Sequence, residues 1–280
     1  MKRAHAPGWY IKRAGYYLFL TVVALTSIFP VYFSVISSLK TDRNVFLHPF
    51  TPSAIPLFEN YPRAIQTGNI GASFINTVFV TVAAVAITVF VSAMASYIFA
   101  RFIFRPKKLL YTYFIAGMMV PIQIIIIPMS YNLGQLGLFD NYAVLVLLFT
   151  AFQIPMTVFI IYGFMTSMPV EIEEAAVIDG ASLAGVFLRI VVPLSAAGIT
   201  SASIFNFINI WNNLLFPLVF IHSRSKQLIS ISLQAFFAER SSDYGGVMAA
   251  IVISILPPIA AYIALQEKVE KGLTAGAVKG

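Results

Sequence analysis

Few side chains in this sequence are equipped for bond-making chemistry. Its histidines, His5, His48 and His222, are spread over a terminal segment and two polar intervals, so no cluster exists to hold a metal or serve as a buried base. The chain has no cysteine, which removes disulfides and thiol nucleophiles together. It also lacks the GxxxxGK[ST] spacing whose backbone cradles nucleotide phosphates. No catalytic residue and no metal ligand is expected. What the residue types do offer is recognition. Asn206, Asn209 and Asn213 recur at intervals of three and four, which places three amides on one helical face. Amides bond hydroxyls without contributing charge, as a passage for a neutral polyol requires, and they equally bond a neighbouring helix. The second feature is the acidic head Glu171, Glu173 and Glu174 on the stretch EIEEAAVIDGASLAGVFLRIVVPL, residues 171–194, an amphipathic island between long charge-free runs.

Local signals define the shape of that island. Pro169 lies where a first helical turn would begin, and the three carboxylates crowd that turn, where they suit the positive end of a helix. Gly180 is suited to a left-handed stop, Ser182 to capping a second helix, and Pro193 to ending it. Two short helices with a bend at Gly180 are expected. On the first, Ile172, Ala175, Ala176 and Asp179 share a face, and the two alanines let a foreign surface approach closely.

The elements that position these residues are membrane helices. With 59% hydrophobic and only 10% charged residues over 280 positions, the chain is far more apolar than a soluble domain. Six runs near 14–36, 72–100, 109–131, 141–163, 196–221 and 244–265 are long enough to span a bilayer. An all-α integral membrane protein with six transmembrane helices follows, with no room for a sizeable soluble domain. The first run exceeds a signal-peptide core and no small-residue cleavage site follows it, so it is expected to remain. The net charge of +7 would suit nucleic acid, but its distribution points to membrane anchoring. Lys2, Arg3, Lys12 and Arg13 precede the first span, and Arg101, Arg105, Lys107 and Lys108 fill the loop after the second. By the positive-inside rule both termini are cytoplasmic. The island is cytoplasmic by parity, although it carries only Arg189.

Prolines punctuate the rest. Pro49, Pro52 and Pro56 forbid a long helix in the first external interval, which reads as an ordered turn or as a contact for an external partner. Asn76, Thr77, Thr81, Ser92 and Ser96 on the second span read as helix-packing groups. Pro121 and Pro128 interrupt the third span, Pro155 the fourth, and Pro257 and Pro258 break the sixth; hinging and plain kinking are both open. Asp140 is expected to be a solvated cap, and His222 to Asp243, with Arg224, Lys226 and Arg240, an outside loop. The glycine-rich end has the composition of a flexible tail.

Glu174-Ala175-Ala176, then Gly180, Ile190 and Pro193, all in one loop between the fourth and fifth apolar runs, resemble the EAA loop of the permease subunits of binding-protein-dependent ABC importers. The family pattern runs EAA, three residues, G, nine residues, I, one residue, L, P, and Val192 stands here where the family usually has Leu. The resemblance implies the type I ABC-importer permease fold. It also implies that the loop is a coupling helix seated in a groove of a cytoplasmic ATPase, with Glu174, Ala175, Ala176, Asp179, Gly180 and Pro193 as coupling residues. The terminal GLTAGAVKG resembles the end of the maltose-type carbohydrate-uptake branch, where the tail, here Gly272, Leu273, Thr274 and Gly276, reaches between two ATPase subunits. The organisation expected is residues 1–71 for the N-terminus, first helix and first external loop, 72–265 for the transmembrane core including the coupling loop 164–195, and 266–280 for the cytoplasmic tail.

What the resemblance implies is a non-catalytic subunit in the plasma (inner) membrane of a bacterium or archaeon. Its expected partners are a second related permease, two copies of an ABC ATPase that hold ATP and Mg, an extracytoplasmic solute-binding protein and lipid, with no nucleic acid. The cargo is a sugar or oligosaccharide delivered by the binding protein, with glycerol phosphate or another polyol as the alternative. An ion-coupled secondary transporter is the distant alternative. It would need ionisable groups inside the membrane, and the six runs contain none.

Overall fold

The computed structural model describes the backbone of residues 7–239 and 243–277 and, within them, the side chains of Trp9 and of residues 12–238 and 243–266. In chain order the α-helices are α1 (Pro7–Ser38), α2 (Asp42–Leu47), α3 (Asn60–Thr67), α4 (Ile70–Arg101), α5 (Lys107–Ala116), α6 (Ile122–Gln135), α7 (Tyr142–Thr166), α8 (Glu171–Ile178), α9 (Leu183–Val186), α10 (Val192–Leu194), α11 (Ala196–Trp211), α12 (Leu215–Phe220), α13 (Ile229–Glu239) and α14 (Tyr244–Ala277). Among the described residues there is no strand. Four helices are long and apolar enough to cross a membrane, and six spans result if each of two sharply bent helix pairs counts as one.

The first of these bends, and a separate break after Trp211, revise the expected spans. The third is two helices meeting at 92°. Val120 ends the first stretch in an extended conformation (ψ 112°) and Pro121 continues extended (ψ 124°), because a proline excludes its predecessor from the helical region and has no N–H for the ladder. The expected fifth span, 196–221, stops at Trp211 and resumes at Leu215. Pro217 suits this break. Inside a continuous helix its ring would collide with the carbonyl of Asn213, whereas after a restart it occupies the first turn, where its missing N–H costs nothing. The Asn213 side chain caps the restart by accepting the Phe216 N–H at 3.0 Å.

The opposite correction holds for Pro257 and Pro258, which lie inside the continuous α14 rather than breaking it. In a spanning helix the backbone groups freed by two prolines can be satisfied by neighbouring helices and side chains. The same helix runs on through the supposed flexible tail to Ala277, where the sequence EKVEK consists largely of good helix formers. The side chains of Gly272, Leu273, Thr274 and Gly276, and Arg240 as a whole, lie outside the described residues.

The chain divides into two units. The first comprises Met1–Ile70 and Leu233–Ile255. Here the proline-rich interval is ordered around Asn60, fully buried, whose Nδ2 donates to the carbonyls of Ser38 at 2.8 Å and Lys40 at 2.9 Å. Lys40 is buried too and donates to the carbonyls of His48 (2.8 Å) and Pro49 (3.1 Å); burial pushes its pKa down. Arg63 pairs with Asp243 at 2.9 Å, and Asp42 accepts the Gly245 N–H at 3.0 Å. A side chain at 245 would put a Cβ 2.6 Å from both Asn60 Nδ2 and the Lys40 carbonyl, so only glycine fits.

The second unit comprises Gly71–Ser232 and Leu256–Gly280. One apolar cluster joins α4, α7, α11 and α12 through Val80, Leu145, Phe149, Ile210, Phe216 and Phe220. A second, through Ala93, Tyr97, Ile161, Met165, Val186, Val191 and Ala202, packs α4, α7 and α11 against the 171–194 segment. Of the small polar groups of α4, Asn76, Thr77 and Ser96 bond neighbouring segments, whereas Thr81 and Ser92 are buried without a hydrogen-bond partner within the described residues. Asn76 Nδ2 donates to the carbonyls of Ser225 and Gln227, Thr77 Oγ1 accepts the Ile229 N–H, and Ser96 Oγ donates to the Val158 carbonyl. The interval 222–243, read from sequence as a loop, contains α13, a mostly apolar helix of 11 residues.

Candidate functional site

The segment linking α7 to α11 folds as its local signals dictate, with one exception. Helix α8 opens with its three carboxylates in the first turn and ends at Asp179. Gly180 takes φ +85°, and the Ala181 N–H bonds the Ala176 carbonyl (2.9 Å) while the Gly180 N–H bonds that of Val177 (3.0 Å). This is the glycine-terminated Schellman cap, which satisfies carbonyls the helix end would otherwise leave open. Ser182 Oγ accepts the Gly185 N–H at 3.2 Å and starts α9. The exception is Pro193, which does not end the second helix. A π-helical turn, Phe187–Val191, precedes it, and helix continues to Leu194. The widened turn makes room for the proline ring where a regular ladder would clash. The chain then bends by 74° into α11.

Burial divides α8 into two faces. Glu171, Glu174, Ala175 and Ile178 are exposed at i, i+3, i+4 and i+7, one contiguous stripe. Glu173 and Ala176 point the other way: Glu173 is 6% exposed and Ala176 packs on the Ala93 and Tyr97 cluster. Of the expected coupling residues, Glu174, Ala175, Asp179 and Gly180 lie at the surface of the first helix, Ala176 is turned inward, and Pro193 is exposed on the second helix. Of the grouped Ile172, Ala175, Ala176 and Asp179, all but Ala176 are exposed, and Ile172 (44%) and Val177 (56%) widen the outward surface beside the stripe.

The residue that fixes this orientation was read from sequence only as a basic anchor. Arg101, the last residue of α4, meets Glu173 through Nε and Oε1 at 2.6 Å, with 9% and 8% of the two side chains exposed. A second guanidinium nitrogen donates to the Met168 carbonyl at 3.3 Å. Each charge also sits at the helix end that favours it, the cation at the C-terminus of α4 and the anion at the N-terminus of α8. The spacing of 72 residues leaves no local signal for the pair.

The amide stripe of the fifth run does not survive as one face. Asn206 is fully buried and bridges α11 to α7, donating to Thr157 Oγ1 at 2.9 Å. Asn209 is exposed and bonds its own helix at the Phe205 carbonyl, 2.8 Å away. Asn213 lies in the break after α11, as the cap described above. One of the three therefore remains on an open helical surface.

At the other end of α7, Asp140 is a clamp rather than a solvated cap. It takes φ +56°, and its carboxylate accepts the N–H groups of His222 (2.7 Å) and Ser223 (2.8 Å) and the Ser223 hydroxyl (2.8 Å). Lys226 Nζ returns to the Asp140 carbonyl at 2.6 Å. The Ser223 N–H above all, then the Ser223 hydroxyl and the His222 N–H and charge, hold the carboxyl below the usual carboxylate range against burial. The turn before α7 and the interval after α12 are thereby pinned together.

Comparison with known proteins places this geometry. Residues 92–275 match the family described as "Binding-protein-dependent transport system inner membrane component". The chain is similar to the "Diacetylchitobiose uptake system permease protein NgcG" of Streptomyces coelicolor, at 32% identity over 89% of this chain and 83% of that protein. It is likewise similar to the "Melibiose/raffinose/stachyose import permease protein MelC" of Bacillus subtilis, at 30% identity over 94% of this chain and 95% of that one. Its fold matches a chain of a bacterial ABC transporter "involved in the import of the acidic polysaccharide alginate", with a TM-score of 0.80 and 20% identity, covering 95% and 99% of the two chains. With the matched region taking in α5 to α14 and the whole 171–194 segment, the chain belongs to the family of binding-protein-dependent ABC transport inner membrane components and is a multi-pass inner membrane protein.

Proposed function

We propose that this chain is the non-catalytic membrane subunit of an ATP-driven importer for a sugar or oligosaccharide. The observation that carries the reading is the outward acidic stripe of α8, held by a buried ion pair on a helix that ends the second span. Such a stripe suits a basic groove on a separate ATPase, which supplies ATP and Mg. In this reading both termini and the 167–195 segment are cytoplasmic, and the loops pinned by Asp140 face an extracytoplasmic binding protein. A second related permease completes the membrane pathway, with two ATPase copies beneath the pair. The wide apolar surface of α1, of whose span only 6% is buried within this chain, is available to that partner and to lipid. Nucleotide-driven closure of the ATPases moves the two coupling loops, and the pathway alternates between its inward and outward openings.

The support for carbohydrate cargo is the named cargo of the relatives, together with the lack of any charged side chain within the apolar runs of this chain. Among the amides, Asn209 is the one placed to meet hydroxyls in the pathway. The test is reconstitution of the full complex in proteoliposomes with its binding protein, followed by uptake of a panel of oligosaccharides, glycerol phosphate and polyols. ATP-dependent uptake of an oligosaccharide is expected. Uptake driven by an ion gradient without ATP would overturn the reading, and ATP-driven uptake confined to glycerol phosphate would replace the cargo while keeping the mechanism.

A further inference from the structure

The Arg101 and Glu173 pair has no part in the recognition chemistry above, yet it is the most deeply buried contact between charged side chains among the described residues. A buried ion pair is weak as a source of net stability, since desolvation of both charges offsets most of their attraction. What it supplies is direction. Arg101 bonds Glu173 through one nitrogen and the Met168 carbonyl through another, so one guanidinium grips α8 and the turn before it.

The contacts beside this grip are of a different kind. Ala176, Ala181 and Phe187 pack on the apolar cluster that includes Ala93 and Tyr97 of α4. Beside them an open apolar groove of about 250 Å³ runs along the surface between α4 and the start of the second loop helix, lined by Met94, Ile98, Phe102, Leu183, Ala184 and Phe187. The second loop helix packs in the same cluster through Val186 (1% exposed) and Val191 (0%), and its Phe187 ring lies 5.2 Å from that of Tyr97. The attachment through charge is at Glu173.

From this we propose that Arg101 is a positioning residue that locks α8 to the end of α4, so that the docking helix and the second span move as one body. The proposal rests on the coupling role given to α8 above. It assigns the route by which motion enters the membrane: through α4 by way of the ion pair, rather than through the direct covalent path from the loop into α11.

The experiment uses the assembled transporter with nitroxide labels at Val177→Cys on α8 and Val91→Cys on α4, both exposed positions in a chain without other cysteines. The distance between the labels is measured nucleotide-free and after trapping with ATP and vanadate. A narrow distribution, unchanged between the states, is expected in the parent chain. In Arg101→Met/Glu173→Leu, where apolar side chains of similar reach fill the same space, the distribution should broaden or shift between states by about 2 Å or more, the scale of helix shifts in switching proteins. The reversed pair Arg101→Glu/Glu173→Arg should restore the narrow, state-independent distance. A parent distance that itself changes on trapping, or an unchanged narrow distance in the Met and Leu variant, would overturn the proposal. Failure of the ATPase to co-purify, or of vanadate to trap the complex, would instead refute the coupling reading on which it rests, and that outcome is read from the parent chain before any variant is made.

Discussion

Replacement of Gly180 separates backbone conformation from packing more cleanly than any other change in the coupling segment. Its φ of +85° lies in the left-handed region, and a Cβ built there meets nothing within 4 Å. A side chain at 180 therefore costs only what its backbone preference costs. Asn visits this region readily, Ala loses roughly 1–2 kcal/mol there, and a β-branched residue loses more. The order of tolerance should be Gly, Asn, Ala, Val. If the strain opens the Schellman cap, the loop populates its docking geometry less often and the apparent Kd for the ATPase rises by the inverse of that population. One or two kcal/mol corresponds to about a 5- to 30-fold loss, an upper limit that holds when the parent loop has no stability to spare. The assay is titration of the purified ATPase onto the membrane complex in detergent, with ATP hydrolysis as the second readout. Membrane insertion should be unaffected throughout. Equal affinity for Gly180→Val and the parent would refute the reasoning, and a loss in Gly180→Asn as large as in Gly180→Val would show that bulk, not φ, is what matters.

Other consequences can be checked separately. Asn206→Leu removes one interhelical amide bond, which in membranes averages about 0.6 kcal/mol, so assembly and uptake should fall only slightly; Asn209→Leu should reduce uptake per assembled complex while assembly stays normal. Normal uptake in Asn209→Leu would remove it from the pathway. Cysteines at Ile178 and Ser225, both exposed, should react with an impermeant reagent from opposite sides of the membrane, and labelling of both from one side would overturn the orientation proposed above. Asp140 has a depressed pKa when folded, so the clamp contributes fully above the unfolded value of roughly 3.9 and is lost as pH falls through the lower folded value. Thermal stability of the parent should drop across that acidic window, and Asp140→Asn should be less stable at neutral pH with a flatter acid profile. A parallel acid profile in the two would argue against the clamp.

The sequence by itself determined the features whose causes are local. Long apolar runs dictate membrane helices because an unsatisfied backbone cannot sit in hydrocarbon. Three carboxylates, Gly180 and Ser182 dictate where α8 ends and the second helix begins, since caps and left-handed turns depend on residues within a few positions of one another. Tertiary structure decided everything that required knowing which face is covered. Pro121 breaks its span while Pro155, Pro257 and Pro258 stay within theirs, so the residue type alone does not decide between a break and a continuous helix. The amides at 206, 209 and 213 have the spacing of one stripe, but the break after Trp211 and the nearness of Thr157 give them three different roles. Asp140 and Ser223 lie 83 positions apart, and Arg101 and Glu173 lie 72 apart. No periodicity joins residues at such distances. Only the packing of α4 against the coupling segment leaves Glu173 buried beside an arginine and its neighbour Glu174 facing out, because a helix presents adjacent residues about 100° apart and a single covering surface can take one of them.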